Sequence, residues 1–316
     1  MLSLLKAEYK RLFKNVLFYV ILVLIAAVSI LNIESLNGFD LAEFFYGADE
    51  AFILNTEPIF AAPTLLAVLL IGREFSDRVI YNKVISGVER THIYIAEYII
   101  ILSAALIYQL ESYLVLALYC KLRLIGKAVA LFESPIHIIV CAAVACFFII
   151  AVFCAVYVFI CMTIGSRVKS IVAVLLVCLL WASASTNISE TVMPVSYMNS
   201  INDEFFPNFG EIYTSADDKA EQEEKSYEEV RKDFMEKNLQ YQKKVEEMRG
   251  SVLSGIKKPV FMFLYYTTPF CQLTNVEEWL FVREITPNYI KYISIDILFS
   301  VILCVLGILI FKRKDL

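Results

Sequence analysis

Long apolar stretches separated by short polar segments dominate the chain. A helix needs about 20 consecutive, mostly apolar residues to cross the hydrocarbon core of a bilayer. The pattern predicts an all-α polytopic membrane protein with six transmembrane helices. These spans are expected at about Val16–Ile33, Phe52–Gly72, Ile93–Tyr119, Pro135–Ile164, Val168–Ser185 and Ile290–Phe311.

A shorter amphipathic pattern precedes the first span. Lysines recur on one face of this segment, and apolar residues share another face: Leu4, Leu5, Tyr9, Leu12 and Phe13. Such a helix lies in the membrane interface, with its apolar face in the lipid. The alternative interpretation is a basic flank of the first span.

Composition and charge support membrane insertion and predict its direction. The 316 residues are 59% hydrophobic and 19% charged, which is more apolar and less charged than a soluble domain. The net charge is −5, and the chain has no strongly basic domain that would indicate nucleic acid binding. Thirteen Lys and Arg lie on one side of the predicted spans, against three in the short loops on the other side. The positive-inside rule therefore predicts that both termini are cytoplasmic.

Three regions follow from this topology. Residues 1–185 hold the first five spans, 186–289 form an extracellular loop domain, and 290–316 hold span 6 and a cytoplasmic tail. The loop domain contains a charged segment, 217–249, whose apolar residues recur at three- and four-residue steps, so a helical insertion is predicted. This helix would bind a substrate or partner, or would pack on its own loop or on a second copy. The apolar segment Pro259–Leu273 is too short to span, so it is re-entrant, interfacial or buried in the loop domain.

The cytoplasmic loop between spans 2 and 3 carries a second amphipathic pattern. Charged residues open it, and apolar residues then alternate with Asn82, Lys83 and Ser86 before Gly87. A short helix is predicted there, joined directly to two spans. It would transmit force from a partner, or it would be an ordinary interfacial connector.

Ionisable residues inside predicted spans are candidates for a substrate pathway. Glu97 and Glu111 share a face of span 3 with Tyr108 nearby, and Asp296 lies in span 6. They would line a path for a cationic or amphipathic substrate. The alternative is local pairing, with Asp296 beside Lys291 and Glu111 buried against another helix.

Several motifs of enzymes are missing from the sequence. It contains no GxxxxGK[S/T] phosphate loop, no CxxC pair and no HExxH. An intramembrane protease is disfavoured, because the segment Glu277–Arg283 misses the EExxxR spacing by one residue and no histidine follows it. No catalytic residue, metal or cofactor is therefore expected in this chain.

The loop sequence IGREFSDRVIYNKVISG, followed by ERTHIYIAEY, resembles the permease subunits of ABC transporters of type 2. The N-terminal LLKAEYKRLFKNVLFYV and the C-terminal IFKRKDL also resemble that family. The resemblance implies a membrane assembly of two permease copies or paralogues with two ATPase subunits, which hold ATP and Mg²⁺. It also implies an N-terminal elbow helix along the inner leaflet and export or clearance of a peptide, lipid or amphipathic antibiotic.

The resemblance further implies that the loop 73–92 couples the chain to the ATPase. The residues expected to do so are Arg73, Glu74, Arg78, Val79, Ile80, Lys83 and Val84, with Glu74, Arg78 and Lys83 making polar contacts and the three apolar residues forming a footprint. The insertion 217–249 departs from the family pattern. A different function therefore stays open, namely a non-transporting membrane anchor or immunity protein whose extracellular helix binds a partner.

Overall fold

The structure, a computed structural model, describes residues 1–37, 56–123, 135–194, 253–282 and 289–314, with short stretches between 236 and 251. No strand occurs among these residues. Ten helices are numbered here in chain order: α1 Leu2–Lys14, α2 Val16–Asn37, α3 Thr56–Ser76, α4 Val79–Ile85, α5 Arg90–Arg123, α6 Ile136–Ile164, α7 Arg167–Val192, α8 Lys257–Thr267, α9 Pro269–Val282 and α10 Tyr289–Arg313.

The helices confirm the membrane character that the apolar pattern predicts. Within the described residues, five helices are long and apolar enough to cross a bilayer: α3, α5, α6, α7 and α10. The count rises to six if α1 and α2 together form one broken span, since they are bent by 59° at Asn15. The prediction of an all-α polytopic protein with about six spans is thus confirmed at this level.

Helix α6 is the centre of the bundle. It packs against α3, α5, α7, α9 and α10, and almost all side chains along its middle are buried. It begins after Pro135, which has no N–H to leave unpaired, and ends at Gly165 in a left-handed conformation with φ of 65°. From Ile149 to Met162 its apolar residues face neighbours on nearly every side, which is typical of a helix buried inside a larger bundle.

Two helices on the periphery expose broad apolar surfaces. Helix α7 exposes leucines on one face, and α10 exposes apolar side chains along most of its length. An exposed apolar surface of this extent is typical of helices that face lipid or another subunit. The representative exposed residues are Leu175, Leu179, Leu180, Leu298, Val301, Ile302 and Val305.

The short helices α8 and α9 form a pair beside α6, α7 and α10. The start of α9 lies against the middle of α6, because the Phe270 ring is 5.2 Å from that of Phe153. The Cys271 thiol lies 3.6 Å from the Ser185 carbonyl of α7. The predicted segment Pro259–Leu273 therefore covers most of α8 and the first turn of α9, which are packed against the spans.

Half of the predicted extracellular region, 186–289, lies outside the described residues. This is true of the larger part of the helix predicted at 217–249. Its end is described: Val245 is buried, and the Arg249 guanidinium lies 4.9 Å from the centre of the Tyr265 ring. The end of the charged segment thus packs on α8.

Candidate functional site

Four helices meet at one end of the bundle around a group of buried charges. This end also carries Arg167 at the start of α7 and Lys314 after α10, and it is called the basic end below. The buried charges, called the ionic cluster, come from α1, α3, α4 and α5. They are Glu8, Arg11, Glu74, Lys83 and Glu97.

Lys83 is the centre of the ionic cluster. Its Nζ lies 2.6 Å from Glu8 Oε1, 2.9 Å from Glu74 Oε2 and 3.1 Å from Glu97 Oε1. An ammonium group has three donors, and three carboxylates on three other helices surround it. A single side chain of α4 therefore binds α1, α3 and α5 at the same point.

Arg11 is the second cation of the cluster. Its Nη2 lies 2.8 Å from Glu8 Oε2 and 3.4 Å from Glu97 Oε2, and its Nη1 pairs with Glu74. The Arg11 side chain is about one-third exposed, whereas all three carboxylates are buried. Arg11 therefore lies on the open side of the cluster and covers it from solvent.

The three carboxylates also have the spacing of a metal site. One oxygen of each of Glu8, Glu74 and Glu97 lies within 4.8 Å of the others. Lys83 and Arg11 already supply positive charge to all three carboxylates. The arrangement is therefore an ion-pair network with three negative and two positive groups. Removing one member of such a network leaves a buried charge uncompensated, which is strongly destabilising.

Helix α4 is held at both ends by special backbone conformations. Arg78, just before the helix, is left-handed with φ of 56°, and Gly87, just after it, has φ of 85°. These two turns set a seven-residue helix against the bundle. Ile80 is fully buried, and Ile85 is 83% exposed, so the two isoleucines lie on opposite faces.

The outward face of α4 is the most exposed part of this helix and the part most open to a partner. It carries Arg78, Asn82, Ile85 and Ser86, all exposed. A cleft of about 460 Å³ opens beside it, between the start of α2 and the end of α3, with Lys14 and Arg73 on its wall. The basic end thus exposes the apolar side chain of Ile85 near the cationic side chains of Lys14 and Arg73.

The predicted coupling residues divide into two groups. Arg73 and Arg78 are exposed, with Arg73 Nε 3.0 Å from Asp77 Oδ2. Glu74 is buried and Lys83 is largely covered, and both are bound inside the ionic cluster. The expected polar contacts of Glu74 and Lys83 with a partner do not match this geometry, because their charged groups are already paired within the chain.

The apolar contact surface that the sequence predicts on α4, at Val79, Ile80 and Val84, also differs from the exposed surface in the structure. Ile80 is fully buried against the bundle, so it cannot form an outer footprint. Val79 and Val84 are half-buried at the sides of α4. Ile85, which the sequence did not single out, takes the outermost position. Helix geometry explains the exchange, since residues five apart differ by about 140° around the axis.

The candidate pathway residues do not form one site. Glu97 belongs to the ionic cluster, and Glu111 lies 14 residues further along α5, about 21 Å away at 1.5 Å per residue. Tyr108 is buried and stacks on Phe18 of α2, with ring centres 5.3 Å apart. Asp296 is buried on α10, where the Gln272 side chain of α9 donates a hydrogen bond to it over 3.0 Å. The alternative pairing with Lys291 is not present.

Sequence reasoning missed Glu8, Arg11 and Gln272. A signal for Glu8 was available: it falls four residues before Leu12, on the apolar stripe of the N-terminal helix, where a carboxylate needs a buried partner. Arg11 follows Glu8 at a spacing that allows an ion pair along one helix. Nothing near Gln272 in the sequence indicates its contact with Asp296, because 24 residues separate the two.

Comparisons with known proteins do not identify a family. No protein-family model matches this chain, and no curated protein matches it.

Proposed function

We propose that this chain is the membrane-spanning permease subunit of an ATP-binding cassette transporter, powered by a separate ATPase subunit. One observation carries the proposal. A short helix at the basic end exposes one face to the surroundings, and a single lysine on that helix binds three other helices. This is the construction that a subunit needs if a partner outside the membrane is to move its spans.

In this proposal the ATPase binds the exposed face of α4, at Arg78, Asn82 and Ile85. Movement of the ATPase then displaces α4. Lys83 transmits the displacement to the carboxylates of Glu8 and Glu97, and hence to α1 and α5. Because buried ion pairs resist separation, the helices move as rigid bodies rather than singly.

The basic end is cytoplasmic in this proposal. The positive-inside bias of the sequence supports that orientation and puts both termini in the cytoplasm of a bacterial-type cell. Helix α1, bent by 59° from α2, then lies along the inner leaflet as an elbow helix. The exposed apolar surfaces of α7 and α10 are available to lipid or to a second permease copy. ATP and Mg²⁺ bind to the ATPase, and the cargo is a peptide, lipid or amphipathic antibiotic.

The proposal is tested with two variants that act on opposite faces of α4. Ile85→Asp puts a charge on the exposed face, and Lys83→Met removes the link to the other helices. Lys121→Asp, at the other end of α5, is the matched control for an exposed change of charge. Each variant is co-expressed with an ABC ATPase of the same organism, purified, and assayed for bound ATPase and for transport-linked ATP hydrolysis.

We expect Ile85→Asp to lose at least about tenfold in ATPase binding, a cost of roughly 1.4 kcal/mol. Lys83→Met, which should be less stable than the wild type, is assayed below its own Tm, where it should still bind the ATPase but lose stimulation of hydrolysis by cargo. Lys121→Asp should match the wild type in both assays. Normal ATPase binding and normal coupling in both α4 variants would contradict the proposal, and so would the absence of any bound ATPase in the wild type.

The second function predicted from the sequence is a membrane anchor or immunity protein. It rests on the segment 217–249, most of which lies outside the described residues, so it stays a prediction. Deleting 217–235 separates the two functions, because a permease should keep its ATPase after that deletion and an anchor should lose its partner.

A further inference from the structure

A second buried polar site lies far from the ionic cluster, among α6, α9 and α10. Its two polar members are Asp296 on α10 and Gln272 on α9, and their side chains are 4% and 3% exposed. Gln272 Nε2 donates one hydrogen bond to Asp296 Oδ1 over 3.0 Å and another to the Tyr266 carbonyl over 3.0 Å. Asp296 lies seven residues into α10, about 10 Å from the end that is opposite the basic end.

Asp296 lacks the partner that a buried carboxylate requires. Among the described residues it forms no ion pair, and its single hydrogen bond comes from a neutral amide. The titratable side chains near it are tyrosines: Tyr289 and Tyr292 on α10 itself, and Tyr266 of α8, whose ring stacks on that of Tyr292. No Lys, Arg or His of the described chain lines the site. A buried, ionised carboxylate without a cation is strongly disfavoured, so the site needs positive charge from elsewhere.

The site also holds an unused acceptor and a small space. Gln272 Oε1 is buried and accepts no hydrogen bond from the described residues. Gln272 and Asp296 line a cavity of about 10 Å³ with the apolar side chains of Ala145, Ile149 and Val276. That volume accommodates one water-sized occupant. A carboxylate, an amide oxygen and room for one small group occur together at one point inside the bundle.

We propose that this cavity is a binding site for a single small monovalent cation, a proton or Na⁺, which neutralises Asp296. Both cations satisfy the same chemistry. A proton bonds directly to the carboxylate, and Na⁺ takes oxygen donors such as the Asp296 carboxylate and Gln272 Oε1. The two helices that share the site, α9 and α10, are then held together more firmly when the cation is bound. This proposal is independent of the permease function, because it uses none of the ionic cluster or the face of α4.

Carbodiimide labelling tests the proposal on the purified full-length chain in lipid nanodiscs. Dicyclohexylcarbodiimide reacts with a protonated carboxyl in an apolar site, and mass spectrometry of peptides locates the adduct. Wild type, Asp296→Asn and Gln272→Met are labelled across a range of pH, in NaCl or in choline chloride. Thermal unfolding of the same samples supplies a second readout. Glu89→Gln is the matched control, since Glu89 is an exposed carboxyl outside both this site and the ionic cluster.

We expect an adduct on Asp296 that is strongest at low pH, absent in Asp296→Asn and unchanged in Glu89→Gln. If Na⁺ is the ligand, NaCl reduces labelling at least about tenfold relative to choline chloride, raises the Tm of the wild type and does neither for Asp296→Asn. Gln272→Met then weakens the protection by NaCl. If the proton alone is the ligand, labelling and Tm depend on pH but are equal in NaCl and choline chloride.

Two results would overturn the proposal. One is labelling of Asp296 that varies neither with pH nor with NaCl, since a carboxyl that exchanges no cation would behave in this way. The other is the absence of any adduct, together with the same dependence of Tm on pH and NaCl in the wild type and Asp296→Asn.

Discussion

The ammonium of Lys83 lies 3.1 Å from a carboxylate oxygen of Glu97, and this contact fastens a seven-residue helix to a helix of 34 residues. Helices as short as α4 are marginal in isolation. Its position is therefore set by what it touches rather than by its own propensity. Ile80 anchors it through an apolar contact, and Lys83 anchors it through charge.

Loss of Lys83 should destabilise the protein markedly. Lys83→Met leaves three buried carboxylates with Arg11 alone, and breaking a buried network in this way costs about 3–5 kcal/mol. We expect a lower Tm in thermal unfolding of the detergent-purified protein. Lys312→Met, which alters an exposed lysine, is the control and should unfold like the wild type.

A second substitution distinguishes lost charge pairing from lost packing. Lys83→Met combined with Glu97→Gln removes one carboxylate together with the ammonium, so part of the lost Tm should return. If the double variant is as unstable as the sum of the two single variants, the three carboxylates do not depend on Lys83 as the geometry indicates.

Gly307 allows α10 to approach α5 closely. A Cβ at this position would overlap the hydroxyl and ring of Tyr94, which is fully buried. We expect Gly307→Ala to destabilise the protein by about 1–3 kcal/mol through overpacking. Tyr94→Leu removes the overlapping atoms, so the double variant should be less unstable than the two single effects added together. A Gly307→Ala protein with the Tm of the wild type would show that the two helices can separate at little cost.

Arg78 adopts a backbone conformation that favours glycine. Its φ of 56° places it in the left-handed region, which costs a residue with a side chain about 1 kcal/mol. We expect Arg78→Gly to fold at least as stably as Arg78→Ala, which keeps the strain, when both are compared by thermal unfolding. Under the proposed function, both variants should bind the ATPase less well than the wild type, because each lacks the guanidinium. Greater stability of Arg78→Ala would contradict this account of the turn.

Lys314 supplies a test that depends on pH. Its Nζ donates hydrogen bonds to the carbonyls of Met162 and Thr163 over 3.1 and 3.0 Å, and burial lowers the pKa of its ammonium from the ordinary value. The folded protein therefore releases this proton at a lower pH than the unfolded chain does. Stability from this residue rises as the pH increases from the folded-state pKa towards the unfolded-state pKa.

The corresponding measurement compares Tm values across alkaline pH. The Tm of the wild type, relative to that of Lys314→Met, should increase from neutral to strongly alkaline pH. The same comparison with Lys312→Met should stay flat, since that side chain is exposed. A relative Tm that falls with increasing pH would mean that the carbonyls favour the charged form more than burial disfavours it.

The spans could be predicted from the sequence because each is a continuous apolar stretch, and the bilayer sets its length. The side of α4 that packs against the bundle could not be predicted in the same way. Its apolar side chains, at Val79, Ile80, Val84 and Ile85, spread over about two-thirds of the circumference, so the pattern alone does not say which side meets the bundle. The contact of Ile80 with other helices decides it.

The ionic cluster could not be predicted from the sequence for a related reason. The sequence identifies Glu97 as a membrane carboxylate and Lys83 as a charged residue of the loop, but their pairing requires the turn between α4 and α5. Glu8 joins them from the far N-terminal helix, and no local pattern encodes a contact over that separation. The same holds for Gln272 and Asp296, which meet only after α9 has packed beside α10.

The position of Glu8 and Arg11 in the chain also sets an order on biosynthesis. Both are translated before the other three members of the cluster, and Lys83 and Glu97 follow only after the second apolar stretch has left the ribosome. Until then the Glu8 carboxylate lies on the apolar side of α1 without its ion pair to Lys83 of α4. Helix α1 consequently cannot complete its contacts with α3, α4 and α5 until residues 74–97 have been delivered to the membrane.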